Sequence, residues 1–208
     1  LIAKMKIPPF IATLGIMMVA KGLSLVISGM KPIYFIETPV FYKIAMGSVW
    51  GIPNAVLIFF GAALVANLIL TKTVLGRYTF ALGSNEEAAR LSGINVKAWK
   101  TAIYALGGLF SGLAGVLMAS RLNSAQPSLG QGYELEAIAA VVIGGTSLSG
   151  GEGSVLGTVI GAFIMSVLTN GLRILSIPQE WQTVVIGGIV ILAVYLDIER
   201  RQDRKSVV

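Results

Sequence analysis

Cysteine and histidine are both absent from the 208 residues. Their absence removes disulfide frameworks, thiolate nucleophiles, Cys/His metal sites and imidazole bases. It also leaves the redox compartment open. Charge is scarce, at 12% of residues, against roughly 25% in soluble domains. No GxxxxGK[ST] loop and no strand-linked GxGxxG is present, so the chain has no nucleotide site of its own. No catalytic residue, metal or cofactor is assigned. A membrane-embedded enzyme would need a nucleophile–base pair or a metal, and the missing His and Cys argue against one.

What is present is apolar. Hydrophobic residues make up 55% of the chain, and mean hydropathy is +0.80. A water-soluble globule of this size would expose apolar patches far beyond what monomers tolerate, so lipid is the expected solvent. Spanning helices need about 20 apolar residues. Runs of that kind lie at Phe10–Gly29 (interrupted by Lys21), Ile52–Thr71, Thr101–Ser120 and Ser154–Leu172, with a shorter one at Trp181–Leu196. Leu135–Gly151 is too short for a straight span because its apolar part ends at Gly144-Gly145. A broken or re-entrant helix is expected there, tolerated only where protein or a cavity surrounds it. The fold class is therefore all-α, a polytopic transmembrane helical bundle of about six crossings.

The net charge of +6 sits in short blocks between apolar runs. That pattern sets membrane orientation and does not suit nucleic-acid binding. With the broken segment crossing, eleven basic residues fall on the inner face: Lys4, Lys6, Lys72, Arg77, Arg90, Lys97, Lys100, Arg200, Arg201, Arg204 and Lys205. Four fall outside: Lys31, Lys43, Arg121 and Arg173. This predicts a cytoplasmic C-terminus. The chain begins at Leu1, shows no signal peptide, and reads as a fragment lacking its N-terminal part. Met30–Trp50 becomes an outer loop, either an interfacial segment or a plain loop with anchoring aromatics. Glycines spaced four apart, Gly153/Gly157/Gly161 and Gly108/Gly112, suit close helix packing. Packing within one subunit is favoured over a dimer contact.

The inner loop 73–99 carries the strongest local signals. Ser84 with Glu87 three residues on forms a capping box, and Glu86 and Glu87 suit the helix dipole. Gly93 occupies the left-handed position past the end, before Ile94. A helix of roughly eight residues, about 12 Å long, is expected. It is either a lever for a partner protein or an ordinary interfacial helix.

The segment GRYTFALGSNEEAARLSGINVKAWK resembles the cytoplasmic coupling loop of ribose-type permeases of ATP-binding-cassette importers, in the branched-chain amino acid/sugar permease superfamily. RLNSAQPSLGQGYELEAIAAVVIGGTSLSGGEGSVLGTVIGA is similar to the broken-helix region of that family. The resemblance implies that residues 1–208 are the C-terminal part of a longer bacterial cytoplasmic-membrane permease subunit. It implies ATP-binding-cassette ATPase partners, an extracytoplasmic sugar-binding protein and a second permease copy as a homodimer. ATP hydrolysis is then expected on the separate ATPase, and the cargo is a ribose-like pentose or a hexose. Nucleosides and a furanosyl signalling molecule stay open, as does an ion-coupled secondary transporter. Coupling falls on Gly83, Ser84, Asn85, Glu86, Glu87, Ala88, Ala89, Arg90, Ser92 and Gly93. Ala88 and Ala89 keep that face slim enough for a groove. Candidate pathway residues are Lys21, Asn67, Asn123, Gln126, Glu134 and Asn170, polar groups at or near membrane depth. Ser124 and Glu136 are neighbouring polar positions of the same kind, and for Glu134 and Glu136 a structural role at the start of the broken helix is favoured.

Overall fold

The computed structural model describes residue 2, residues 7–36 and residues 38–206, with backbone alone at 39, 196–198 and 200–206. Lys4 and Lys6 therefore lie outside the described residues, as do the side chains of Arg200, Arg201, Arg204 and Lys205.

Helix boundaries follow from local chemistry. α1 (Pro9–Ser28) starts on a proline, whose missing N–H costs nothing there. It stops at Gly29, left-handed at φ 58°, whose N–H reaches the last carbonyls. α2 (Pro39–Met46) lies within the outer-loop segment and also starts on proline. α3 spans Asn54–Lys72. α4 (Val74–Ser84) is capped by Thr73, whose hydroxyl accepts from the Gly76 N–H at 3.3 Å. α5 is Glu86–Leu91. α6 (Val96–Leu122) is capped by Asn95, whose Oδ1 accepts from Ala98 N–H at 3.2 Å. That cap starts the helix a full turn before Thr101. α7 is Tyr133–Ile143. α8 (Val155–Ile174) is capped by Ser154, which accepts from Gly157 N–H at 3.0 Å. α9 is Gln179–Ser206.

Among the described residues four helices are long and apolar enough to cross a membrane: α1, α3, α6 and α8. The apolar part of α9, Gln179–Tyr195, is shorter. α3 has no buried residue and α6 buries Ser120 alone. Helices that apolar, with outward-facing side chains, are covered by lipid or by other protein. α7 is too short to span, at 11 residues and about 16 Å. Its helix ends at Gly144, with Gly145 at φ 84°, as the glycine pair predicts.

The chain forms two units, and the boundary between them falls inside α3. The first comprises residues 1–65 and 92–129. Here α2 lies along α6 and is fastened by one buried hydroxyl. Ser120 Oγ accepts from Ala45 N–H at 3.0 Å and donates to Phe41 O at 2.6 Å, so it sits between two groups one helical turn apart. Phe35 packs against Phe41 with ring centroids 4.7 Å apart and ring planes tilted by 60°. β1 (Ile33–Tyr34) pairs antiparallel with β4 (Ser124–Ala125), matching Ile33 with Ala125 and Tyr34 with Ser124. β2 (Ser48–Val49) and β3 (Ile52–Pro53) form a hairpin with Trp50 and Gly51 at its tip. Both tip residues have positive φ, the geometry that matches strand twist in a two-residue turn. The described residues of the segment 30–50 thus include the helix α2 and the strands β1 and β2. Ser120→Ala would remove both hydrogen bonds by which the hydroxyl ties α2 to α6, a loss of about 1–3 kcal/mol. Faster hydrogen exchange over residues 39–46, with α6 unchanged, is the expected reading.

The second unit comprises residues 66–91 and 130–208. α7 packs against both α8 and α9. Its Ala139 and Ala140 join Met165 of α8 in a core ringed by Ile143, Leu168, Ile186 and Val190. α7 and α8 meet backbone to backbone. A Cβ on Gly161 would lie 1.9 Å from Ala140 O, and one on Gly157 would lie 2.0 Å from Gly144 O. The two contacts run in opposite directions along the helices, so the pair is antiparallel. The spacing of Gly157 and Gly161 therefore serves packing within the chain, as favoured from the sequence. Gly108 and Gly112 have nothing within 4 Å of such a Cβ.

Candidate functional site

Residues 73–91 of the second unit hold two helices, α4 and α5, where one was expected. Ser84 closes α4 and does not cap α5; the capping residue is Asn85. Asn85 is extended, at φ −153° and ψ 102°, and its Oδ1 accepts from Ala88 N–H at 3.0 Å. An Asn cap satisfies one of the free N–H groups of the first turn as well as Ser would. The capping box is therefore absent in the expected register. Glu87 turns instead to Arg90, whose Nε donates to Glu87 Oε2 at 3.0 Å. The hydrogen bond, and then the charge, of Glu87 holds the Arg90 guanidinium above its ordinary range. The pair is solvent-exposed and contributes little to stability. Gly93 has φ 84°, the left-handed conformation expected of it.

The six residues of α5 present a mixed surface. Glu86, Glu87, Ala88, Arg90 and Leu91 are exposed, and Leu91 is 75% exposed. Ala89 is buried, at 6%. Its methyl faces its own chain, because residues one apart on a helix point about 100° from each other. Ala89 is thus a packing residue that fixes α5 on its support, whereas Ala88 is exposed. Ser92 is exposed.

Gly83, half-buried in the last turn of α4, meets the 144–154 segment that joins α7 to α8. A Cβ on Gly83 would lie 2.6 Å from Gly151 N. Sequence reasoning missed this contact. Its signal was the Gly150-Gly151 pair, whose φ values of 86° and 82° favour glycine.

The pathway candidates are divided between the two units. In the first unit Lys21 lies on α1, an exposed position. Asn123 ends α6 in the left-handed conformation at φ 50°. Its Oδ1 is buried without a hydrogen-bond partner. Beside it, Gln126 Nε2 donates to buried Ser124 Oγ at 3.4 Å. In the second unit Asn67 lies on α3, and its main-chain carbonyl accepts from Thr71 Oγ1 at 2.7 Å. Glu134 Oε2 accepts from Gly132 N–H at 3.1 Å, in the first turn of α7, where a carboxylate suits the dipole. Asn170 is exposed near the end of α8. The antiparallel α7–α8 register puts it at the same end as Glu134. Among the described residues no group of His, Cys, Asp and Glu could hold a metal ion.

A bundle of apolar helices, one of them broken at a glycine pair, defines an α-helical polytopic membrane protein. The chain belongs to the family described as branched-chain amino acid transport system / permease component, which it matches over residues 1–194. It is 48% identical over 198 residues to the ribose import permease protein RbsC of Bacillus subtilis, covering 95% of this chain and 62% of the relative. It is 43% identical over 204 residues to RbsC of Escherichia coli K12, covering 97% of this chain and 64% of the relative. The xylose transport system permease protein XylH of Escherichia coli K12 is 48% identical over 160 residues, covering 74% and 41%. The chain thus spans a little under two thirds of the length of the ribose permeases it matches. No solved structure matches it significantly.

Proposed function

We propose that this chain is the pathway-forming part of a membrane subunit of an ATP-driven importer for a monosaccharide, a ribose-like pentose or a hexose. The observation that carries the reading is the 48% identity to a ribose import permease across 95% of the chain. The capped, outward-facing helix α5 supports it: a short rigid element tied to its own unit through Ala89 is suited to engage a motor protein. In this reading the motor is a separate pair of ATPase subunits. An extracytoplasmic binding protein delivers the sugar, and a second copy of the subunit completes the pathway in the bacterial cytoplasmic membrane.

The topology belongs to the same reading. Six crossings put residues 73–99 and the C-terminus in the cytoplasm, and the β1–β4 pair with α2 outside. Asn123, Gln126, Glu134 and Asn170 then lie toward the outer mouth, with Lys21 and Asn67 on spans. Ser124 accompanies Gln126 there. Few polar groups sit at membrane depth, so affinity resides in the binding protein and the pathway holds sugar weakly.

The test is reconstitution of the full-length subunit in vesicles with its ATPase and candidate binding proteins, scoring D-ribose against D-xylose. Stimulation of ATP hydrolysis by one loaded binding protein, with sugar accumulation, is expected. Uptake that ignores ATP but collapses with an ion gradient would replace this reading with a secondary transporter. A cysteine placed at Glu86 must react with impermeant thiol reagents only from the cytoplasmic side; reaction from outside would end the coupling assignment.

A further inference from the structure

The contact of α4 with the segment between α7 and α8 has no role in the reading above. A Cβ on Gly150 would lie 2.7 Å from Gly83 O and 2.9 Å from Gly83 Cα. One on Gly151 would lie 3.0 Å from both Cα and Cβ of Ser84. Main chain therefore abuts main chain immediately before the cap of α5. Such a contact has no side-chain torsions that could absorb a displacement.

The segment on the far side is itself tied down. Ser147, 8% exposed, donates its N–H to Glu152 O at 3.0 Å. Its carbonyl accepts from Gly150 N–H at 3.2 Å, and its hydroxyl accepts from Ser149 N–H at 3.2 Å. Thr146 N–H donates to Val141 O at 3.1 Å, and a Cβ on Gly153 would lie 2.6 Å from the Thr146 methyl. The segment thus runs without slack from Ser84 back to α7. From there the Gly144–Gly157 and Ala140–Gly161 contacts lead into α8.

We propose that the Gly83–Gly150 contact is the joint through which displacement of α5 reaches the broken helix α7. Gly150 and Gly151 are positioning residues of the transport cycle. The proposal rests on the coupling reading, which supplies the displacement. Its own content is narrower: α4, residues 147–151 and α7 move as one body. An ordinary loop would let α5 move while α7 stayed still.

The test compares Gly150→Val with Gly145→Val in the full-length subunit within the assembled importer, with D-ribose as probe. Both positions have nearly equal positive φ, 86° and 84°, so both variants place a β-branched residue in the left-handed half of φ. A Cβ on Gly145 meets nothing within 4 Å, whereas one on Gly150 meets the Gly83 main chain. Gly150→Val is expected to retain bound ATPase and to lose about tenfold in sugar moved per ATP relative to Gly145→Val, the scale of coupling changes produced away from ligand sites. Equal transport by the two variants would overturn the joint, and so would loss of ATPase binding by Gly150→Val. Unaltered ATPase binding by Ala88→Trp would instead count against the coupling reading.

Should Gly150→Val fail to accumulate, the double variant Ser84→Cys/Gly151→Cys replaces it. Residues 1–208 hold no cysteine of their own, cysteines elsewhere in the importer are replaced by serine, and the 3.0 Å between those Cβ positions is within reach of the roughly 3.5–4.5 Å of a disulfide. Equal rates of disulfide formation in nucleotide-free and ATP-loaded importer are expected. A rate that collapses in either state shows the contact opening and overturns the proposal.

Discussion

Gly161→Val is expected to eliminate the folded subunit from the membrane. The first atom of the new side chain would fall 1.9 Å from Ala140 O, with Ala140 C at 2.9 Å and Gly144 N at 3.0 Å. These are backbone atoms of a helix, so no rotamer change relieves the overlap. α7 would have to leave α8 by an ångström or more. The core of Ala139, Ala140 and Met165 would open with it. Overpacking of a well-packed interior typically costs about 1–3 kcal/mol, and a clash of the Cβ itself against main chain lies at or above the top of that range. The measurement is the amount of detergent-stable subunit and its midpoint of thermal aggregation. Gly108→Val and Gly112→Val, where a Cβ meets nothing within 4 Å, are the controls and should behave as the parent. A Gly161→Val subunit of parental abundance and stability would disprove the close α7–α8 seam.

Ala88→Trp is expected to weaken binding of the ATPase subunits by about 30-fold, or roughly 2 kcal/mol, the threshold for a dominant interface residue. Ala88 is exposed on α5 beside buried Ala89. An indole at position 88 projects from the surface and leaves the packing of α5 untouched. At position 89 the same change would push α5 off its own support, so subunit stability should fall as well. Binding titrations in lipid nanodiscs separate the two. Equal affinity of Ala88→Trp and parent would remove α5 from the motor interface. The two variants also distinguish a groove contact from a folding defect, which a double substitution would confuse.

The elements written in repeated, periodic chemistry were legible in the sequence. Each long span is a run of apolar residues closed by charge or a glycine, and the structure returns them within a few residues. The end of the broken helix was legible because Gly144-Gly145 removes the side chains that would carry the helix on. The register at Ser84-Asn85 was not. Both residues are good caps, and the choice depends on α4 running through Ser84, which packs its last turn against Gly150 and Gly151. That is a tertiary contact more than sixty residues away, invisible to local pattern. Ser120 was hidden for the same reason: a serine at the end of a span looks like any interfacial hydroxyl until α2 folds back onto it. Ala89 could not be told from Ala88 without knowing which side of α5 rests on its own chain. The pathway residues were chosen by polarity alone, and polarity does not distinguish a cap such as Asn123 or a dipole partner such as Glu134 from a lining group.

The length of α6 has a consequence for the lipid around it. Its 27 residues make a rod of about 40 Å, against about 30 Å of hydrocarbon. Lying fully inside would demand a tilt of roughly 40°. The uncharged stretch Thr101–Ser120 alone matches the hydrocarbon, with Lys97 and Lys100 before it and Arg121 after it. The surplus turns therefore stand among the headgroups. Bilayers a few ångströms thicker or thinner then meet the same helix through a small change in lean, and no ammonium or guanidinium group is drawn into oil.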